Sequence, residues 1–550
     1  MGAIGDFQSV YDLCIIGSGP AGIIVALEYA RLNPPKKILL IEYGYNGQPK
    51  QNALDNSIIN TNPVNHHGPY ECTNKGLGGS TATWGGRCVM YDKVDFADRA
   101  VLAGGCTWDL DLLTKIEEYL PQAAAYFECG NPVFNLQNIP KFKNERIAEN
   151  FKEGVVTDSA VERWSTPTRF GKRYAGDIFK NANITFIEGF EARDFSIPDK
   201  NGRVSSITIR AVNNKKQHQI NANKFVLAAG AQETTRILLR NPQLFTAIGS
   251  VPPALGKFYQ GHLSGKIASV KFKGDPKKTD YGFLVDGDGT YLRRRFQFSS
   301  EFLIQQNLLN TAIWLDNPLY FDPGHRSGAM SLMYLAMLIP ILGKKLAPPA
   351  IAHSITKGKT TAIHKHIRNI FKDLPGSLLV PASIFYKRYI LKRKLPGVFL
   401  YSPDNRYALH FHAEQVPDSS NRMELDTDGE TLVIKYGLTD TDVNSVIKLH
   451  EVLDNWLRDC ECGELEYWFK KEDLSKEIYA MSRDGLHQCG TTRISASPKD
   501  GVVNSDLMLW GVNNIFVCSS SVFPTSGQAN PTFLLGAFAA RLAEHLTNTI

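Results

Sequence analysis

The sequence predicts a mixed α/β fold in which a doubly wound cofactor domain is interrupted by a second domain built on a mostly antiparallel sheet. Three observations predict it: a strand, glycine turn and helix in direct succession from Tyr11; a second buried strand ending in small residues at Lys224 to Gly230; and a closing helix after Asn530-Pro531. Neither internal repeats nor a Pro/Ser-rich linker separates these pieces, so the two lobes interleave.

The first element sets the pattern. Tyr11 to Ile16 is a short apolar run, Gly17-Ser-Gly-Pro20-Ala21-Gly22 follows, and Ile23 to Leu32 has helical apolar spacing. Gly17 allows a tight turn, Gly19 lets the backbone approach a pyrophosphate, and Gly22 lets the helix pack on the strand. Lys37 to Ile41 reads as the next strand, and Glu42 at its end is placed to accept ribose hydroxyls. This combination marks a dinucleotide site and disfavours NADP, but leaves FAD and NAD open. Later, the strand Lys224 to Gly230 precedes a helix at Gln232 to Leu239. Ile184 to Ile187, Val204 to Arg210 and His218 to Ile220 read as an antiparallel meander inserted before it, an arrangement that favours a flavin. Ala192, Ala229 and Gly230 are the small residues expected against the cofactor.

Composition narrows the class. With 550 residues, 43% hydrophobic and 21% charged, the chain has an ordinary globular balance and room for a sizeable core. Nine scattered cysteines without a Cys-x-x-Cys predict no disulfide framework and no metal site, and favour a reducing, cytoplasmic compartment. Residues 1–10 lack the pattern of a signal peptide. The net charge of +6 is local in origin: Lys344 to Lys394 holds twelve Lys/Arg against Asp373, leaving the remainder acidic by about five charges.

Three further segments resemble the glucose-methanol-choline (GMC) oxidoreductase family over nearly the whole chain, and within it the pyranose oxidase-like branch. The first is GLGGSTATWGGR at 76–87, where Gly78, Gly79, Ser80 and Trp84 would face the isoalloxazine. Thr83 stands where pyranose oxidases carry a flavin-linked histidine, which implies non-covalent FAD. The second is HQCGTTR at 487–493 with VCSSSVFPTSGQANP ending at Pro531. The resemblance implies His487 as catalytic base with Asn530 as its partner, and Ser519, Pro531 and Thr532 as cofactor contacts; Ser519 replaces the Asp of many members. Asn530 also suits a helix N-cap, with Pro531 as first helical residue. The third is LHFHAEQVP at 409–417. Alternation puts His410, His412 and Glu414 on one strand face, and the resemblance makes them substrate contacts.

The implied architecture is a Rossmann-type FAD-binding domain at 1–100, 150–262 and 480–550. The substrate domain would comprise 101–149 and 263–479, with ligand between the lobes. The implied activity is oxidation of a CH–OH group in a sugar, glycoside or related alcohol. Histidine suits the proton-accepting role because its ordinary pKa lies near operating pH. The acceptor of the electrons, whether oxygen, a quinone or a protein carrier, is left open. The alternatives are a lipid or sterol alcohol oxidoreductase and a redox-silent flavin-binding scaffold.

One segment is unexplained by the resemblance. Ala329 to Leu342 is apolar but too short to span a bilayer, and the basic window follows it with Ile367, Ile370, Phe371, Leu378, Leu379 and Ile390 among its charges. Apolar residues beside Lys/Arg predict a peripheral contact with an anionic membrane surface; an oligomer or lid contact and an acidic polymer are the competing readings. No nucleic-acid motif accompanies the charge.

Overall fold

Tyr11–Ile16 and Ile38–Glu42 are buried at every position except Asp12, so their sheet must be covered on both sides. The computed structural model describes residues 10–45, 57–339 and 362–548. Tyr11–Ile16 pairs in parallel with Ile38–Glu42 on one side and Gln217–Leu227 on the other. The helix Pro20–Leu32 packs between this sheet and the closing helix Thr532–Asn548.

Gln217–Leu227 joins two environments. Its first half pairs antiparallel with Ser206–Ala211, which pairs with Phe190–Phe195; its second half pairs in parallel with Ile515–Val517. The expected meander therefore exists, with one correction. Ile184–Glu188 lies outside it and forms the parallel edge strand beside Ile38–Glu42. Its apolar residues fill the sheet edge against that strand, a pairing that a short apolar run does not reveal in sequence.

The second sheet is wholly antiparallel, in the order Thr311–Asp316, Arg406–Glu414, His262–Phe272, Gly463–Tyr467. The long helix Asp440–Asp459, started by a Thr439/Asp442 capping box, buries Val443, Val446, Leu449, Leu453 and Leu457 in the core of this lobe. Two large cores result, one around each sheet. Residues 101–149, expected with the substrate lobe, divide between them. Trp108, Leu112, Ile116, Ala124 and Phe127 join the cofactor core, and Ile147 and Ala148 join the other. Ala123, Ala124 and Phe127 belong to a short helix that packs on Thr532–Asn548, which supplies the apolar partner. The basic, apolar segment contributes the helices Gly328–Leu338, Ile363–Lys372 and Leu374–Phe385. The rest of it, 340–361, lies outside the described residues.

Candidate active site

The cofactor cradle is made by two glycine loops pressed together. Gly17 has φ of +101°, and a Cβ there would stand 2.5 Å from the Ala228 carbonyl oxygen. At Gly22 the obstacle is the Gly17 carbonyl oxygen itself, 1.9 Å away, so this glycine seats the helix on the turn. Gly78, at φ +94°, donates its N–H to the Ser18 carbonyl at 2.8 Å and leaves no room for a side chain against Gly171. A Cβ at Gly19, by contrast, would meet no protein atom within 4 Å. Its open face looks onto a cavity lined by Gly17, Gly19, Pro20, Ala21, Glu42, Gly79, Ser80, Trp84, Ala192, Ala229, Gly230, Ser519, Pro531 and Thr532. Gly19 is also the helix N-cap and supplies no capping side chain, which leaves the helix start open to an anion.

Glu42 is more occupied than its position implies. Oε2 accepts from the Ser18 N–H and hydroxyl at 3.1 and 2.7 Å, and Oε1 accepts from the Gly44 and Gly76 N–H groups at 2.9 and 2.8 Å. The carboxylate ties the first glycine loop, its strand end and the second glycine loop into one unit. Thr83 stays outside the cavity lining and accepts from Asn74 Nδ2 at 2.7 Å, while the Trp84 indole donates to the Thr168 carbonyl at 2.9 Å. Ser519 caps the short turn Ser520–Val522 through the Ser521 N–H.

His487 and Asn530 meet beside this cavity, outside its lining. Asn530 Nδ2 donates to His487 Nε2 at 2.7 Å, and His487 Nδ1 stands 3.4 Å from Asp484 Oδ2. The neighbours Leu486 and Gln488, and Pro531 and Thr532, all line the cavity. Asn530 makes no helix cap: the first turn of the closing helix runs from the Leu535 N–H to the Pro531 carbonyl, and Asn530 Oδ1 is buried without a partner. Tertiary contact with His487 takes the amide away from the helix start.

Two members of this site carry little sequence signal. Asp484, three residues before His487, accepts at Oδ1 from the Gly485, Leu486 and His487 N–H groups and so fixes the turn that presents the histidine. Burial alone would raise its pKa, but the facing rings of His487 and His262 hold its carboxyl well below the usual range. His262 sits 3.2 Å from Asp484 through Nδ1, stacks on His412 at 4.1 Å and leaves Nε2 buried without a partner. Burial lowers the pKa of both His262 and His412, keeping them neutral. The ring nitrogens of His262, His412 and His487 come within 4.8 Å of one another, a spacing that could also hold a metal ion, where the sequence had suggested none.

The strand Arg406–Glu414 separates its three polar residues. His412 donates through Nδ1 to the Gln528 carbonyl at 2.7 Å and meets His487 edge-on at 5.5 Å. His410 faces a different cavity, stacked on Trp314 at 4.6 Å with Nε2 2.8 Å from the Ser264 hydroxyl. Glu414 is closed off: Arg99 donates to it at 2.8 and 2.6 Å, and the Asn310 N–H at 2.8 Å. Arg99 lies far upstream and carries no motif to announce the pair, so alternation marked Glu414 for a ligand that the protein itself supplies.

Residues 417–539 match the family model described as GMC oxidoreductase. A 2-methyl-1,2-propanediol dehydrogenase of Mycolicibacterium austroafricanum is 38% identical over 63 residues, only 12% of this chain and 11% of that one. A 6'''-hydroxyparomomycin C oxidase of Streptomyces lividus is 20% identical over an alignment covering 98% of this chain and 93% of the relative. Among solved structures, formate oxidase of Aspergillus oryzae aligns with TM-score 0.52 at 14% identity over 98% of this chain and 99% of that one. Pyridoxine 4-oxidase of Mesorbium loti aligns with TM-score 0.50 at 15% identity over 97% and 99%. Residues 417–539 thus carry a GMC oxidoreductase domain, and the chain shares the fold of these oxidases along its length.

Proposed function

We propose that this protein binds FAD non-covalently and oxidises a CH–OH group, with His487 as base and Asn530 as the group that orients the substrate oxygen. The observation that carries this reading is the 2.7 Å contact between Asn530 Nδ2 and His487 Nε2, bracketed by residues lining the glycine-loop cavity. FAD suits the cradle: Gly19 leaves its face open, and Gly17 and Gly79 line it without side chains, while Gly78 packs behind it on Gly171. Ala192, Ala229, Gly230, Ser519, Pro531 and Thr532 would hold it from the remaining sides. Thr83, turned to Asn74, offers no ring nitrogen for a covalent link.

When bound, FAD supplies the hydride acceptor. The chain handles the proton and the geometry. With Asn530 donating to Nε2, the lone pair of His487 lies on that nitrogen and its N–H faces Asp484. A substrate hydroxyl entering between the two side chains gives its proton to Nε2 and receives the Asn530 amide N–H at its oxygen. Asp484 then faces the imidazolium so formed and stabilises it. His412 and His262, both neutral, border the same space and suit further hydroxyls.

The substrate we propose is a sugar, glycoside or related alcohol; the oxidase that aligns along the chain is named for a hydroxylated compound, 6'''-hydroxyparomomycin C. Oxygen, a quinone or a protein carrier would take the electrons onward. Anaerobic mixing with a panel of alcohols tests the reading: bleaching of the flavin absorbance by at least one is expected, and a flavin that no alcohol reduces would remove it.

A further inference from the structure

Beside the substrate sheet lies a second cavity of about 1410 Å³, several times the volume of the glycine-loop cavity. Its walls are mostly apolar, including Phe283, Met333, Met337, Ile384, Phe399 and Phe469. One wall is polar: Lys266 pairs with Asp316 at 2.6 Å, and His410 stands above Asp316 at 3.7 Å. His410 is two residues along the same strand face from His412, which touches His487. The chamber therefore lies next to the reaction site, and the helices Gly328–Leu338 and Leu374–Phe385 contribute to its wall.

Two helices of the basic segment turn apolar side chains outward. In Ile363–Lys372 the polar residues His366 and Asn369 face inward; His366 engages the Ser331 hydroxyl and the Phe321 carbonyl, and Asn369 donates to the Pro323 carbonyl. Ile363, Ile367 and Phe371, spaced four apart, face outward, with Phe371 73% exposed. The next helix, Leu374–Phe385, is apolar nearly throughout and likewise exposes apolar residues. Ser377 is buried, while Leu374, Leu378 and Leu379 are exposed, the last two at 60% and 68%. Lys365, Arg368, Lys372 and Lys387 are exposed among them. Within the described stretch 362–394, Asp373 is the only acid, and it caps its own helix. No helix of the described residues is long and apolar enough to cross a membrane.

We propose that this helix pair docks on an anionic lipid surface, and that the chamber behind it receives the apolar tail of an amphipathic alcohol whose hydroxyl reaches His487. An outward apolar ridge set among lysines and arginines matches a lipid interface, where the side chains enter the acyl boundary and the cations meet the headgroups. A second copy of this chain would bring like charges face to face. The tail-binding half of the proposal rests on the alcohol-oxidising reading above; the docking half does not.

The test uses FAD-loaded full-length protein. Co-sedimentation with phosphatidylserine/phosphatidylcholine vesicles should show salt-sensitive binding that weakens about tenfold or more in the triple variant F371S/L378S/L379S, as removal of three inserted side chains requires. Binding that is absent, or unchanged in the triple variant, overturns docking. Self-association of the wild type that the triple variant abolishes would assign the face to a second copy and also overturn it. For the chamber, KM should fall along a series of primary alcohols of rising chain length, and Ala336→Trp, in the chamber wall and away from His487, should raise KM for long members while leaving flavin reduction by short ones unchanged. Reduction by short alcohols with no chain-length dependence overturns tail binding alone; absence of reduction by any alcohol points instead to failure of the reaction reading.

Discussion

Asn530 donates its amide N–H to Nε2 of His487 across 2.7 Å, and the same amide's oxygen is buried without a partner. A donor held on the basic nitrogen and an orphaned acceptor beside it define where a hydroxyl must enter. His487→Ala should therefore purify with FAD but reduce it with substrate about 100-fold to 10,000-fold more slowly. Stopped-flow flavin absorbance measures this, and normal bleaching would remove His487 from the base role.

Asp484 serves two histidines and three backbone N–H groups. Asp484→Asn keeps the size but loses the negative charge facing the imidazolium. The rate of flavin reduction should fall about tenfold or more, with the acid limb of the rate profile shifting. An unchanged pH profile would reduce Asp484 to a turn-forming residue.

The glycine loops give a paired test. Gly22→Ala places a methyl group 1.9 Å from the Gly17 carbonyl and should yield destabilised protein with little flavin. Gly19→Ala meets no protein atom within 4 Å, so its thermal midpoint without FAD should match wild type while FAD affinity drops. Fluorescence titration with FAD, beside thermal melts of apoprotein, separates the two; equal affinity in Gly19→Ala would mean that the cofactor does not pass this face.

Arg99 and Glu414 are both essentially without solvent contact, at 1% and 0% exposure of their side chains. Removing one partner strands the other, so Arg99→Ala should cost roughly 3–5 kcal/mol of stability. The double replacement R99M/E414L should cost markedly less. Denaturant melts decide, and a large KM effect without a stability effect would return Glu414 to the substrate.

Burial pushes the His450 imidazole down to about 4. It is neutral in the folded protein, whereas the unfolded chain takes up a proton near 6.5. Its stabilising contribution is therefore complete above pH 6.5 and is lost as pH falls toward 4, by on the order of 3 kcal/mol. His66 and His325 add in the same direction, their pKa values likewise lowered to about 4 by burial. Melting temperature should drop across that window, and His450→Leu should flatten the slope; an unaltered slope would mean that the ring is protonated when folded.

What the residues revealed follows the range of the physics behind them. Gly17 to Glu42 was legible because a tight turn and the helix that follows need particular residues within a few positions. The closing segment was legible because the resemblance joined His487 to Asn530. Strand alternation correctly put His410, His412 and Glu414 on one face of Arg406–Glu414, but a shared face says nothing of depth. One reaches the chamber, one the histidine cluster and one Arg99. His262 and Arg99 come from elsewhere in the chain, and neither spacing nor composition pointed to them.

The parallel pairing of Phe225 with Ile515 and of Leu227 with Val517 sets the order in which this site can be built. A ribosome has to translate past residue 517 before the central strand gains its last parallel neighbour, and past 530 before His487 meets its amide partner. The cofactor lobe therefore completes only after the interrupting lobe has been synthesised. Flavin should enter as a late ligand of the nearly finished chain rather than as a template for its first domain.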